Sequence, residues 1–101
     1  MCHKNFRIRQ GELDLVMRDK NTLVFIEVKT DTTGQAGQPE EWVTPAKQKK
    51  IQKMALAYCG LLGIHDDTPM RFDVVSITRA GSAHQIRHFE NAFLPPLNQY
   101  Y

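Results

Sequence analysis

Cysteine is scarce in this chain and is poorly placed for either of its structural uses. Cys2 and Cys59 stand far apart with no C-x-x-C pair. That argues against a disulfide framework or a zinc site and makes a reducing cytoplasm the expected setting. No apolar run approaches the roughly 20 residues that span a bilayer. The N-terminus goes straight into polar and basic residues, so neither a membrane partner nor a signal peptide is expected. Internal repeats are absent. Charge of one sign is also lacking: 13 basic and 11 acidic residues leave +2. So mild a balance does not indicate nucleic acid by itself, and the placement of the charges matters more than their sum. What is present is 101 residues, 42% of them hydrophobic, which suits a single globular domain over 1–101.

Two short segments carry most of the information, Gly11-Glu12-Leu13-Asp14-Leu15 and Phe25-Ile26-Glu27-Val28-Lys29. Residues two apart on a strand share a face, so Glu12 goes with Asp14, and Glu27 with Lys29. The polar turn Asp19-Lys20-Asn21-Thr22 separates the segments, and Asn21 tolerates positive φ. With Lys20 and Asn21 as the centre of a tight hairpin, Asp19 faces Thr22, Asp14 faces Glu27 and Glu12 faces Lys29. A three-residue loop would instead shift the register by one and separate the two pairs. In the first register Val16, Leu23 and Phe25 share the charged face, and Leu13, Leu15, Met17, Val24, Ile26 and Val28 take the reverse. Both faces are then apolar away from the charges, as in central strands covered on two sides. Asp14 opposite Glu27 sets two carboxylates at short range, and a divalent cation would relieve their repulsion. Two carboxylates with several waters suit Mg²⁺, and Lys29 beside them could orient a water or stabilise a developing oxyanion. The competing reading is an exposed edge, with Glu12 and Lys29 as a surface salt bridge worth about 0–1 kcal/mol.

Residues 30–43 read as a long loop rimming this site, with Trp42 as an anchor that packs the loop down. Thr44 and Pro45 announce a helix. Ile51, Met54, Ala55, Tyr58, Leu61 and Leu62 follow as its buried stripe, and Gly60 or Gly63 ends it. The other face carries Lys47, Lys49, Lys50 and Lys53, a phosphate-contacting ridge or simply a solvated helix face. Lys4, Arg7 and Arg9 add positive charge before the site. Arg71 to Thr78 reads as a strand in which Asp73 is structural, capping or pairing with an arginine. Ala80-Gly81-Ser82 is a turn, and Gln85 to Phe89 a short strand near an edge. His84 and His88 lie on an extended segment, which is not the helical metal-ligand arrangement. Residues 94–101, with Pro95-Pro96, form a loose tail.

The motifs G-E-L-D-L-V, L-V-F-I-E-V-K-T, V-T-P-A-K-Q-K-K, R-F-D-V-V-S-I and H-F-E-N-A-F together resemble the YraN-like family. These are small bacterial proteins related to Holliday-junction resolvases in the PD-(D/E)xK nuclease superfamily. The resemblance runs from about Asn5 to Phe93. It implies an α/β fold, a restriction-endonuclease-like mixed sheet flanked by helices. It also implies a metal-dependent endonuclease acting on DNA, with branched DNA among its substrates, or a non-catalytic nucleic-acid-binding module with a vestigial site. Asp14 and Glu27 match the residues that hold Mg²⁺ or Mn²⁺. Lys29 and Glu12 match the accompanying lysine and acid, and Gln48 matches a polar residue lining the site from the next helix. The basic residues Arg7, Arg9, Lys47, Lys49, Lys50 and Lys53 would meet the nucleic acid. A homodimer is allowed, because a four-way junction offers two symmetric cleavage sites. Members of the family open with an amphipathic helix bearing another glutamate, whereas this chain begins at Met1-Cys2-His3-Lys4-Asn5, directly at the first strand. One face of the sheet is therefore expected to lack that cover.

Overall fold

The computed structural model describes residues 2–31, 39–65 and 67–94. In chain order the elements are β1 (His3–Ile8), β2 (Gly11–Asp19), β3 (Thr22–Asp31), α1 (Pro39–Trp42), α2 (Pro45–Leu61), β4 (Met70–Ala80) and β5 (Ala83–Phe93). The strands lie side by side in sequence order in one mixed sheet. All neighbours are antiparallel except β3 and β4, which run parallel and are joined through α2, the βαβ arrangement that such pairing requires. This α/β architecture is compatible with a restriction-endonuclease-like core. The loop expected over 30–43 is divided: β3 continues to Asp31 and α1 occupies Pro39–Trp42, while 32–38 lie outside the described residues, as does the tail beyond Leu94.

The β2–β3 hairpin has the two-residue loop and the register that its turn suggests: Asp19 pairs with Thr22, Met17 with Val24 and Leu15 with Ile26. The positive φ falls on Lys20, at 57°, rather than on Asn21. The described pairing stops at Leu15 and Ile26, so Glu12 is not set against Lys29 as the continuous register would have it. Beyond Leu15, β2 follows β1, where Glu12 pairs with Arg7.

That divergence goes with a reset of the side-chain alternation. Leu13 and Val16 are three apart, yet both enter the hydrophobic cluster under α2, so Leu13 lies on the same side as Val16 and not on the reverse face. On the neighbouring strand His3 and Phe6, their register partners, both meet the ring of Tyr58 on α2. Between them Asn5 takes φ 54°, a left-handed conformation that asparagine tolerates. Of the two β2 residues between these pairs, Leu15 pairs with Lys4 and Asp14 is left out of the register along with Asn5. The two strands therefore switch faces together.

Helix α2 starts where its sequence says. The Thr44 hydroxyl accepts from the Lys47 N–H and Pro45 opens the first turn, satisfying a donor that the helix itself leaves unpaired. At the far end Ile64 N–H donates to Cys59 O and Gly63 N–H to Gly60 O, with Gly63 at φ 66°, the Schellman arrangement. The buried stripe is Met54, Ala55, Tyr58 and Cys59. Leu61 and Leu62 are not part of it, being 66% and 46% exposed, because the helix unwinds at that point. A Cβ on Gly63 would meet nothing within 4 Å, so Gly63→Ala isolates the backbone cost. We expect a loss of about 1 kcal/mol, read as a lower urea midpoint at unchanged m-value. An unchanged midpoint would show that the left-handed residue contributes nothing.

The core lies between α2 and the face carrying Val16, Leu23, Phe25, Phe72, Val74 and Phe93. Phe25, Phe72 and Phe93 stack in succession across three strands. Trp42 of α1 packs on the same side, edge-on to Phe89. No helix among the described residues covers the second face, contrary to what two-sided apolar strands suggest. Val24 and Ile26 are still buried there, between Met17 and Arg71 and between Leu15 and Asp73 respectively.

Strand β5 runs to Phe93 rather than ending at Phe89, and its continuation depends on Asp73. Phe72 pairs with Phe93 and Val74 with Phe89, so β5 bulges opposite Asp73, with Asn91 at φ 52°. Asp73 is fully buried. Its Oδ1 accepts from the Asn91 N–H at 3.1 Å and from Arg71 Nε at 2.9 Å; its Oδ2 accepts from the second arm of Arg71 at 2.9 Å and meets His88 Nε2 at 2.7 Å. Arg71 also reaches Asp19 of the hairpin at 3.1 Å. Asp73 thus both pairs with an arginine and caps a bulge.

Candidate active site

The site forms where β2 peels away from β3. The N–H of Val28 loses a strand partner there, and Asp14 Oδ2 accepts from it at 2.9 Å. This turns the Asp14 carboxyl onto that of Glu27, with which it shares a side-chain hydrogen bond. Burial first, and then the charge of Asp14, push Glu27 up to about 7, with Lys47 acting in the opposite sense. Burial and the neighbouring carboxylate both disfavour its charged form.

In front of this pair a cleft of about 450 Å³ opens between the sheet and α2. Glu12, Glu27 and Lys29 line it from the strands; Glu41, Trp42, Lys47 and Lys50 line it from the helical side. It sits at the carboxyl end of β3 and the amino end of α2, the place where parallel αβ units commonly hold ligands. The first turn of α2 contains no acid. Its lysines add to the positive end of the helix dipole instead of offsetting it, which favours an anion there.

The residues singled out by sequence do not all converge. Glu27, Lys29, Lys47 and Lys50 line the cleft, and Asp14 joins them through Glu27 from behind the lining. Glu12 also borders the cleft, but its carboxylate is held by Arg7 at 2.8 Å. Gln48 points elsewhere: its amide donates to Val43 O at 3.0 Å and the residue does not line the cleft, because its helical position faces the α1–α2 junction. Lys49 and Arg9 are exposed and away from the cleft lining, and Lys53 borders a separate cavity. His88 is engaged by Asp73. Two features were not singled out beforehand. Glu41 follows the loop and gave no local signal. Ser76 is buried with its hydroxyl unpartnered among the described residues and stands beside Lys29 in the β3–β4 register.

The donor set fits a divalent cation in part. Two carboxylates in contact, one of them raised, are what Mg²⁺ or Mn²⁺ would relieve, with waters completing the shell. No group of three His, Cys, Asp or Glu side chains suited to a metal occurs among the described residues. No helix among them is long and apolar enough to cross a membrane.

A family model described as uncharacterised protein family UPF0102 matches residues 1–77. Similar proteins include a UPF0102 protein of Geobacter metallireducens, 49% identical over 93 residues that cover 92% of this chain and 75% of that protein. One from Geobacter sulfurreducens is 50% identical over 91 residues, covering 89% and 70%. One from Clostridium botulinum is 41% identical over 95 residues, covering 92% and 77%.

Proposed function

This chain belongs to the UPF0102 (YraN-like) family, and from that premise and the geometry of its cleft we propose that it is a metal-dependent endonuclease acting on DNA, branched DNA included. The observation that carries this reading is the pairing of the Asp14 carboxyl, fixed by the Val28 N–H, with that of Glu27, at a cleft that Glu12, Glu27 and Glu41 line together with Lys29, Lys47 and Lys50. Acids that repel one another beside lysines suit a cation and a phosphodiester together.

Asp14 and Glu27 would hold Mg²⁺ or Mn²⁺. When bound, that cation supplies Lewis-acid polarisation of a phosphoryl oxygen and lowers the pKa of a water. The Val28 N–H fixes the Asp14 carboxylate. Lys29 positions the attacking water or stabilises charge developing on phosphorus. Glu12, steadied by Arg7, sets the acidic border of the cleft. Lys47 and Lys50 meet phosphate oxygens, and Arg9 and Lys53 extend the positive surface.

The test is incubation of purified protein with branched and linear DNA, with and without Mg²⁺ or Mn²⁺. Cleavage should need the metal and fall at least about 100-fold in Lys29→Ala, the scale on which single groups stabilising a transition state act. Metal-independent cleavage, or activity that survives Lys29→Ala, overturns the assignment. One observation favours the second reading, a non-catalytic nucleic-acid-binding module: Glu12 is committed to Arg7 and no third carboxylate among the described residues joins the pair. That module would bind DNA in a salt-sensitive manner indifferent to chelator.

A further inference from the structure

The lysines of α2 do not form one uniform ridge. Lys50 and Met54 line the acidic cleft and also a second cavity of about 270 Å³, whose remaining walls are Gln10, Lys53 and Ala57. This cavity lies where the β1–β2 turn approaches the helix. Gly11 stands at that approach: a Cβ there would lie 3.4 Å from both Lys50 Cε and Met54 Sδ, in ordinary van der Waals contact with them. Two ammonium groups and a carboxamide border it over an apolar floor, and no acid lines it. Lys47, Lys50 and Lys53 are three residues apart in turn, so they share one side of the helix and together span about 9 Å of its axis. One strand of a nucleic acid carries a charge about every 3.4 Å along a duplex axis. The row therefore spans more than one phosphate. Lys49, on the same turn, borders neither cavity.

We propose that the second cavity is a phosphate subsite, which receives a backbone phosphate flanking the one held in the acidic cleft. The strand then runs from Lys47 past Lys50 to Lys53 and Gln10, toward the β1–β2 turn. This rests on the nucleic-acid reading above but not on catalysis. It requires a substrate that continues past the acidic cleft on that side.

Lys49 and Lys53 are exposed lysines on the same helix, so the comparison of Lys53→Ala with Lys49→Ala holds net charge and helix propensity equal. Binding of a short fluorescein-labelled DNA duplex is measured by anisotropy across a salt series, with cleavage of the same DNA in Mn²⁺ measured alongside. Lys53→Ala should weaken binding about 3- to 10-fold and lower the salt slope by about 1, and Lys49→Ala should change neither. Equal effects of the two variants, or none from Lys53→Ala, or no binding by the parent protein at low salt, overturn the subsite. The two proposals fail separately. A parent that does not cleave, with a loss of binding specific to Lys53→Ala, removes the endonuclease and keeps the subsite. Metal-dependent cleavage with indistinguishable lysine variants does the reverse.

Discussion

Glu27→Gln is expected to stabilise the metal-free protein above neutral pH and, in the same molecule, to abolish its response to metal. Glu27 sits at about 7 in the folded state against 4.5 for the ordinary side chain, raised by burial and by Asp14. Between those two values the folded protein holds a proton that the unfolded chain has released. Stability contributed by that proton is complete below about 4.5, declines as pH rises through about 7, and is flat beyond. One pKa unit corresponds to about 1.4 kcal/mol. With a discount for partial solvent screening, the cost of ionising Glu27 at about pH 8 is roughly 1–2 kcal/mol. Glutamine removes that cost, so in chelator at about pH 8 the variant should melt several degrees above the parent, and the gap should close near pH 4.5. Adding Mg²⁺ or Mn²⁺ should raise the melting temperature of the parent by mass action and leave the variant unmoved. Metal-dependent cleavage should fall by more than the roughly 10–100-fold that loss of an outer-shell partner costs a metal site. A variant less stable than the parent at pH 8, or one that keeps the metal-induced shift, would sink the assignment of Glu27 as a charge-strained ligand.

The largest loss of stability should come from Asp73→Ala, far from the cleft. The carboxylate is fully buried and satisfies both arms of Arg71, the ring of His88 and the backbone of Asn91. Its removal leaves a mostly buried guanidinium with Asp19 alone as its acid and takes away the acceptor of the Asn91 N–H in the bulge. Breaking a buried pair from one side costs about 3–5 kcal/mol, against a total stability of about 5–15 kcal/mol for an ordinary domain. The urea midpoint should collapse accordingly, and the extension of β5 past Phe89 should exchange its amide hydrogens first. Desolvation opposes ionisation of Asp73, yet the hydrogen bonds from Arg71, His88 and Asn91 outweigh it and hold the carboxyl below the usual 3.8. The stability it supplies is therefore present above that value and lost as pH falls through the lowered one, and Asp73→Asn should flatten that acid limb. A cost under about 1 kcal/mol for the alanine variant would show that the cluster is only a surface ion pair.

What local chemistry specifies could be read directly from the chain. Thr44-Pro45 fixes the start of α2, because a capping hydroxyl and a pre-set φ act within one turn of the helix. Lys20-Asn21 sets the β2–β3 register, because a two-residue loop leaves one pairing. With these come the family, the α/β class and the proximity of Asp14 to Glu27. Tertiary structure decided the rest. Leu61 and Leu62 fit the helical stripe, yet they are the last helical residue and its cap, and both stay exposed beside the Schellman turn at Gly63. Leu13 changes face where Asn5 turns left-handed and the β1–β2 register skips Asn5 and Asp14, a coupling between strands that no single-strand alternation contains. The four lysines look alike in sequence, and only the approach of the β1–β2 turn sets Lys50 and Lys53 on a second cavity while Lys49 borders none. Gln48 turned to Val43 O and Glu12 was taken by Arg7, partners set by packing. In each case the deciding neighbour is distant along the chain or across the sheet, so its effect exists only once the fold has brought it there.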